Sequence, residues 1–167
     1  LDFLSPLGGT PEDEDAARAM FSQLDAKQTI ANGLAALAYL KALPNSNGRL
    51  GVLGVCWGGA MVNQLAVSAP DLDAAVSYYG MAPQSELVSQ IKARMLLHYA
   101  GNDERINASW PAYETALKAA GIDYLSYVYA GAQHAFDIFS SPRAHNSAEA
   151  VGEFLSWVYA SRMSRER

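Results

Sequence analysis

Short apolar runs alternate with helix-like segments along most of this chain, and this pattern predicts its secondary structure. From residue 49 onward, four apolar runs predict strands, at 49–55, 74–79, 95–99 and 124–129, and the first of them is predicted to be buried. Segments with helical periodicity predict helices between and after them, at 59–68, 108–119 and 145–161. Continuously apolar strands that alternate with helices are typical of a parallel sheet covered by helices on both faces. We therefore predict an α/β fold.

The first 48 residues carry helical signals only. Thr10-Pro11-Glu12-Asp13 predicts a helix start, with Thr10 as the N-cap, and that helix is expected to reach about Leu24. A second helix is predicted over 25–43 and ends before Pro44. Since no strand is predicted before residue 49, the sheet has only four strands. This imbalance indicates that a front part of the sheet is missing from the chain.

Composition and charge narrow the class of protein further. Of the 167 residues, 50% are hydrophobic and 17% are charged, which suits one packed domain and excludes wholesale disorder. No apolar run approaches the roughly 18 residues of a membrane span. The net charge of −5 supplies no basic footprint for nucleic acid or for an anionic membrane. We expect a soluble protein with neither kind of partner.

The single cysteine, Cys56, bears on the redox compartment. It cannot form an internal disulfide, and a free thiol favours a reducing environment. The chain begins at Leu1 and carries no recognisable signal peptide. These two observations predict a cytoplasmic protein.

The segment Gly54-Val55-Cys56-Trp57-Gly58-Gly59 lies between the first predicted strand and the helix after it. It has the G-x-nucleophile-x-G pattern, with cysteine as the nucleophile. Larger side chains at Gly54 and Gly58 are expected to collide with neighbouring elements in so sharp a turn. The turn would expose the sulfur, favour the thiolate, and direct the Trp57 N–H at a developing oxyanion. The alternative is a buried thiol without chemistry.

A nucleophilic thiol needs a base and an acid that orients the base. Asp103 follows the third predicted strand, and His134 follows the fourth. The chain order Cys56, Asp103, His134 is that of the α/β-hydrolases. For Asp103 the alternative is an Asx-turn before the next helix, with Glu104 as a competing acid. For His134 the alternative is an ordinary histidine in a surface loop.

The other two histidines favour structural roles. His98 lies inside an apolar strand and is expected to be a core histidine with its hydrogen bonds satisfied, whereas His145 starts the last helix and suits a cap or the surface. No two histidines are spaced i, i+4 and no second cysteine exists, so we expect no metal site. No phosphate-binding loop follows Gly59, and no cofactor is predicted.

These motifs together resemble those of the dienelactone hydrolase family, a branch of the α/β-hydrolases with a cysteine nucleophile. The resemblance covers nearly the whole chain and rests on Gly48-Arg49-Leu50-Gly51, Val55-Cys56-Trp57-Gly58-Gly59, Ser77-Tyr78-Tyr79-Gly80, Gly101-Asn102-Asp103 and Gly131-Ala132-Gln133-His134-Ala135-Phe136. It implies an α/β-hydrolase fold and cleavage of an ester or lactone through a covalent acyl-enzyme. It also implies Cys56 as nucleophile, His134 as general base and acid, and Asp103 as the residue that orients His134.

Two departures from the family pattern matter. Family members begin with several strands and a helix that this chain lacks, and that part supplies a second oxyanion-hole N–H and a glutamate that holds the resting thiol. Residues 1–167 are therefore expected to be the C-terminal major part of a single α/β-hydrolase domain. Members that open dienelactones also bind the substrate carboxylate with arginines, where this chain has Ser5-Pro6 and Ile138. Arg105 and Arg143 lie nearby but not at those positions, so dienelactone itself is not favoured as the substrate.

The predicted substrate is a small ester or lactone in an apolar, aromatic pocket. The candidate lining residues, each equally plausible as a core residue, are Trp57, Tyr79, Phe136 and Ile138.

Two alternatives to a complete enzyme stay open. In the first, the chain is one piece of a split or clipped hydrolase, inactive without its N-terminal polypeptide. A sheet cut after an early strand exposes an apolar edge, which would pair with the N-terminal fragment or with a second copy. In the second, a binding-only relative kept the fold; this predicts a damaged triad, whereas Cys56, Asp103 and His134 are all present.

Overall fold

The structure, a computed structural model, describes residues 1–138 and 141–163. The chain forms two compact units, Leu1–Gly48 and Arg49–Arg167. That residues 1–167 belong to a single domain stays a prediction. Within the described residues, no helix is both long enough and apolar enough to cross a membrane.

The first unit contains two helices, α1 (Glu14–Phe21) and α2 (Ala26–Ala42). The aspartates Asp13 and Asp25 precede them, and each carboxylate accepts a first-turn N–H at 2.7 Å. The prediction of Thr10 as the first N-cap is therefore wrong, because its hydroxyl donates to Asp2 at 3.0 Å and Asp13 caps the helix instead. α1 is correspondingly shorter than predicted.

The second unit is built on a four-stranded parallel sheet with the order β1-β2-β3-β4. The strands are β1 (Gly51–Val55), β2 (Ala74–Tyr78), β3 (Arg94–Ala100) and β4 (Tyr124–Tyr129). Each strand pairs in parallel with its neighbour in sequence, so the carboxyl ends of all four strands lie at the same end of the sheet. The α/β prediction is confirmed, and β4 has the predicted bounds.

Helices connect the strands, with bounds that differ from the predicted ones. α3 (Trp57–Ser68) follows β1 and begins two residues earlier than predicted. After β3, where the sequence predicts one helix, a short α4 (Glu104–Asn107) precedes α5 (Trp110–Ala119). α6 (Pro142–Met163) follows β4 and extends beyond the predicted 145–161 at both ends.

Two ring contacts from β3 place helices on both faces of the sheet. Tyr99 packs on Trp110 of α5, with ring centroids 4.6 Å apart. The guanidinium of Arg94 lies 3.9 Å from the ring centroid of Trp157 in α6. Because side chains five positions apart in a strand point to opposite faces, α5 and α6 lie on opposite sides.

The strands at the two edges are less buried than the pattern predicts. All of β2 is buried, and so is β3 apart from Arg94. In β1, by contrast, Leu53 is 58% exposed and Val55 is 40% exposed, so the prediction of a buried first strand is wrong. Leu53 and Val55 are two positions apart and point to the same face of β1, and this face is open among the described residues, where β1 is an edge strand paired with β2.

Candidate active site

The turn between β1 and α3 has the geometry of a nucleophile elbow. Cys56 lies there with φ 54° and ψ −117°, a conformation that costs a non-glycine residue free energy. Its N–H donates to the carbonyl of Tyr78, and its carbonyl accepts the N–H of Ala60, both at 3.0 Å. The cysteine is exposed, as predicted, and the alternative of a buried thiol is wrong.

Glycines allow the backbone segments of the elbow to approach closely. A Cβ on Gly54 would lie 2.3 Å from the carbonyl oxygen of Gly58, which confirms the predicted need for glycine there. The prediction for Gly58 is wrong, because a Cβ at that position meets nothing within 4 Å in the described chain. Gly59 is the helix glycine that the turn requires, since its Cβ would lie 2.5 Å from the carbonyl oxygen of Tyr78.

The N-terminus of α3 lies directly after the cysteine, because the helix begins at Trp57. Amides of a first helical turn have no acceptor within the helix and give this end a partial positive charge. An oxyanion formed on a carbonyl that the sulfur attacks would therefore meet a favourable field. The role of the Trp57 N–H as the donor stays a prediction.

The other two predicted catalytic residues meet beyond the carboxyl ends of β3 and β4. Oδ2 of Asp103, a buried residue, lies 2.5 Å from Nδ1 of His134. Oδ1 of the same carboxylate accepts the N–H of Ile106 at 3.3 Å and caps α4. Asp103 thus both caps a helix and contacts His134. The sequence alone predicts these two roles as alternatives. Glu104 is exposed.

This hydrogen bond assigns the two ring nitrogens of His134. Because Nδ1 donates to a carboxylate, the neutral ring carries its lone pair on Nε2, which is the nitrogen that accepts a proton in triads of this kind. The imidazole is 31% exposed, so a bound substrate can reach it.

Tyr79, directly after β2, connects the cysteine side of the site with the histidine side. It lines the same cleft as Cys56, and its ring centroid lies 4.4 Å from that of His134. Its hydroxyl donates to Oδ1 of Asp137, three residues beyond the histidine. Burial raises the pKa of Tyr79, and the hydrogen bond to Asp137 acts in the same direction. The phenol is therefore a neutral donor.

A cleft of about 210 Å³ opens beside the cysteine. The residues that line it are Cys56, Trp57, Ala60, Tyr79, Met81, Arg105 and Ile106. Trp57 and Tyr79 are among the predicted lining residues. Sequence reasoning missed Arg105 as part of the site, although its place two residues after Asp103, at the same sheet edge, was a usable signal.

The other two predicted lining residues have different surroundings. Phe136 is 5% exposed and packs on Tyr129, with ring centroids 4.7 Å apart. Ile138 is 69% exposed. Neither lines the cleft in the part of the chain that the structure describes, and contact of either with a substrate stays a prediction.

The remaining histidines lie outside the cleft. His98 is fully buried, and its Nδ1 lies 2.9 Å from the Tyr129 hydroxyl. Its Nε2 has no hydrogen-bond partner among residues 1–138 and 141–163, so the prediction of a fully satisfied histidine is wrong. Burial lowers the pKa of His98 to about 4. The exposed His145 contacts Glu149 at 3.2 Å. No cluster of three His, Cys, Asp or Glu able to hold a metal occurs in the described residues.

Solved structures define the class of this fold. The chain superposes on a fungal esterase from Rhizomucor miehei with a TM-score of 0.74 at 15% identity, covering 84% of this chain and 62% of that one. It superposes on a dienelactone hydrolase from Anabaena variabilis with a TM-score of 0.61 at 20% identity, covering 86% and 67%. The fold is that of esterases and dienelactone hydrolases.

The sequence then assigns the family. A model of the dienelactone hydrolase family matches residues 7–160, and the chain belongs to this family. A carboxymethylenebutenolidase from Pseudomonas putida is 31% identical over 148 residues, covering 84% of this chain and 61% of that protein. The chain therefore spans about three fifths of the length of this relative.

Proposed function

We propose that this protein hydrolyses an ester or lactone through a covalent acyl-enzyme, with Cys56 as nucleophile, His134 as general base and acid, and Asp103 as the residue that orients His134. The observation that carries the proposal is the 2.5 Å hydrogen bond between Asp103 and His134. It lies beyond the carboxyl ends of the strands, the end of the sheet at which the strained Cys56 is exposed. Membership of the dienelactone hydrolase family supports the same chemistry.

The reaction has two halves. The sulfur of Cys56 attacks the carbonyl carbon as its proton passes to His134, and the Trp57 N–H stabilises the oxyanion. The ester C–O bond then breaks, and His134 gives its proton to the departing oxygen. In the second half, His134 takes a proton from water, and the hydroxide attacks the thioester. The C–S bond breaks, the acid is released, and the sulfur regains a proton.

The cleft favours a small substrate with an acidic group. Its volume of about 210 Å³ lies below the range of roughly 300–1,000 Å³ that drug-sized ligands need. Arg105 lines the cleft, and a guanidinium suits a carboxylate. Ser5-Pro6 and Ile138 supply no charge where dienelactone-opening members carry arginine. We therefore expect a carboxylate-bearing ester or lactone other than dienelactone itself.

A panel of small esters, lactones and thioesters tests the proposal, with Cys56→Ala and Cys56→Ser as variants. The wild type should turn over at least one of these substrate classes. Cys56→Ala should abolish that turnover, and the serine variant should keep weak esterase activity because a hydroxyl is the poorer nucleophile here. Unchanged turnover by Cys56→Ala would refute the proposal.

A second candidate is that this chain is active only when joined by an N-terminal polypeptide of the same protein. The exposed Leu53 and Val55 on β1 favour it, since an apolar edge of this kind needs a covering strand. The two fifths of the Pseudomonas putida relative that the match does not cover would correspond to the source of that strand. The same segment would supply the second oxyanion-hole donor.

Mass spectrometry of the purified native protein tests this second candidate. A companion polypeptide of the missing N-terminal sequence is the expected finding, and adding it to the isolated chain should restore turnover. A second copy of this chain in its place, or full activity of the folded monomer alone, would contradict the proposal.

We also infer a cytoplasmic location. The nucleophile is an exposed free thiol, and a reducing compartment keeps such a thiol from oxidising. Recovery of activity in a periplasmic or secreted fraction would contradict this inference.

A further inference from the structure

Tyr79 lines the cleft beside Cys56 and also contacts the His134 ring. Its hydroxyl donates to Asp137, in the loop that carries His134. We propose that Tyr79 and Asp137 form a latch that holds the His134 loop, residues 131–138, and with it the imidazole that the proposed function pairs with Cys56. The latch rests on the proposed function, because it acts on the same histidine. Asp137 and the hydroxyl of Tyr79 have positioning roles, since they act through His134.

Tyr79 is a rigid anchor for such a latch. The residue is 1% exposed, and its N–H donates to the carbonyl of His98 at 2.7 Å. Its φ of 38° is a strained value that persists only where the surroundings fix the backbone. The next residue, Gly80, packs so closely on α3 that a Cβ there would lie 2.2 Å from the carbonyl carbon of Gly59.

The His134 loop is tethered at both ends. At its start, the Ala132 N–H donates at 3.0 Å to the carbonyl of Tyr129, the last residue of β4, and the Ala132 carbonyl accepts the N–H of Asn102, two residues after β3, at 2.9 Å. Directly after His134, the chain turns at Ala135 with φ 63°. Beyond this turn, the polar side-chain tether among the described residues is the bond between Tyr79 and Asp137.

Two contacts then fix the imidazole from different directions. Asp103 holds Nδ1 at 2.5 Å, which sets the tautomer and the direction in the ring plane. The Tyr79 ring lies against the imidazole at 4.4 Å with 55° between the planes, which sets its tilt. An aromatic ring in this place also favours the imidazolium that forms when His134 takes a proton. Phenylalanine at position 79 would keep the ring against the imidazole but would release the loop, because it has no hydroxyl to donate to Asp137. The lost hydrogen bond is a strong one, since a hydrogen bond to a carboxylate is about twice as strong as one between neutral groups.

Alkylation of Cys56 by iodoacetamide tests the latch without requiring turnover. The protein has one cysteine, so the label has one thiol site, and the adduct is followed on the peptide that contains Cys56. The sulfur displaces iodide, a C–S bond replaces the C–I bond, and the thiol proton passes to His134 or to water. Near pH ~7, Tyr79→Phe should react about tenfold more slowly than the wild type, because His134 is no longer held in the position from which the proposed function has it take the thiol proton. Near pH ~10, where a thiol ionises without help, the two should react equally.

Tyr129→Phe is the matched control. This tyrosine also makes one side-chain hydrogen bond, to His98, and packs on the loop residue Phe136, but it does not bond to Asp137. Its variant should keep the wild-type profile. Asp137→Asn retains an acceptor oxygen and should keep most of the reactivity, whereas Asp137→Ala should lose as much as Tyr79→Phe. The two Asp137 variants test the latch if Tyr79→Phe does not fold.

Several outcomes would overturn the latch. One is a wild-type rate near pH ~7 in Asp137→Ala or Tyr79→Phe. Another is an equal loss in Tyr129→Phe, since the effect would then be a general loosening. Failure of the proposed function can be told apart from failure of the latch alone. If the proposed function is wrong, His134→Ala should keep the wild-type dependence of the alkylation rate on pH. Where turnover is measurable, Tyr79→Phe should lower kcat at nearly constant KM, and the reverse would contradict a positioning role.

Discussion

Asp103 divides its two carboxylate oxygens between a helix cap and an imidazole. The bond to the Ile106 N–H fixes the carboxylate in place before any substrate binds, and burial keeps water from competing for it. His134 therefore meets an acceptor whose direction is already set. Preorganised partners of this kind hold a catalytic base in its productive orientation.

Arg105 gives a prediction about charge selectivity in the cleft. Iodoacetate and iodoacetamide alkylate the same thiol and differ mainly in charge, so the ratio of their rates measures attraction of an anion to Cys56. Arg105→Ala should lower this ratio about fivefold, and added salt should lower it in the wild type, because the charge is solvent-accessible. Arg105→Lys is the matched variant and should keep most of the preference. An unchanged ratio in Arg105→Ala would remove the argument for an acidic substrate.

His98 gives a prediction about stability and pH. Its pKa in the folded state is about 4, against 6.5 ordinarily, because burial disfavours the charged ring. The unfolded chain therefore binds the proton more readily, and folding stability should fall as the pH drops from 6.5 towards 4, with no effect above that window. The full loss is about 3 kcal/mol, at about 1.4 kcal/mol per pH unit.

Urea unfolding of the wild type and of His98→Asn across this pH range measures the effect. The variant should lack the histidine part of the pH dependence. His145→Gln, which removes an exposed histidine, should keep it. Equal slopes for the wild type and His98→Asn would show that the buried histidine is not the source.

The residues of the proposed triad could be predicted from the sequence, whereas the contacts that hold them in place could not. The elbow motif and the chain order point to Cys56, Asp103 and His134 without coordinates. The contact between Tyr79 and Asp137 joins positions 58 apart in sequence and depends on a positive φ at Tyr79. Neither feature has a signature in a single sequence.

At the scale of elements, the elbow depends on how closely β1, α3 and the end of β2 approach one another. Gly58 and Gly59 are neighbours in the first turn of α3 and offer a matched pair. Gly59→Ala should destabilise the fold by about 3 kcal/mol, since a Cβ would overlap the backbone of Tyr78. Gly58→Ala should change stability by less than about 1 kcal/mol, and in the stabilising direction, because alanine favours the helix.

Thermal unfolding of the two glycine variants measures this difference. For a domain of this size, 3 kcal/mol corresponds to a fall in Tm of roughly 6–12 °C. A similar Tm for both variants, or a larger fall for Gly58→Ala, would contradict the packing described at the elbow.

The prediction of elements succeeded where one signal dominates. β4 has the predicted bounds because its run of aromatic and β-branched residues is flanked by clear turns. The start of α1 was wrong because Thr10 and Asp13 are both good caps, and local sequence does not decide between them. The exposure of β1 was wrong because an apolar run looks alike at a sheet edge and at its centre.

At the scale of the whole molecule, β1 is an edge strand of the described sheet whose apolar side chains Leu53 and Val55 are exposed. We expect the isolated chain to self-associate through this edge. Leu53→Lys should reduce that association in analytical ultracentrifugation. Leu125→Lys on β4, at the opposite edge and 43% exposed, is the matched control and should have little effect.

Addition of the N-terminal polypeptide should abolish the association in the same experiment. An isolated chain that stays monomeric at all concentrations would contradict the edge argument. So would a stronger effect of Leu125→Lys than of Leu53→Lys, because association would then use the other side of the sheet.

The most direct test of the account is mass spectrometry of the protein after brief mixing with an activated ester. In a His134→Ala variant near pH ~10, where the thiol ionises without a base and no histidine activates water against the thioester, the proposed mechanism predicts one added acyl group on the peptide that contains Cys56. The same treatment of Cys56→Ala should add none. Ester turnover by the wild type with the acyl group on another residue, or with no adduct in either variant, would contradict the central claim.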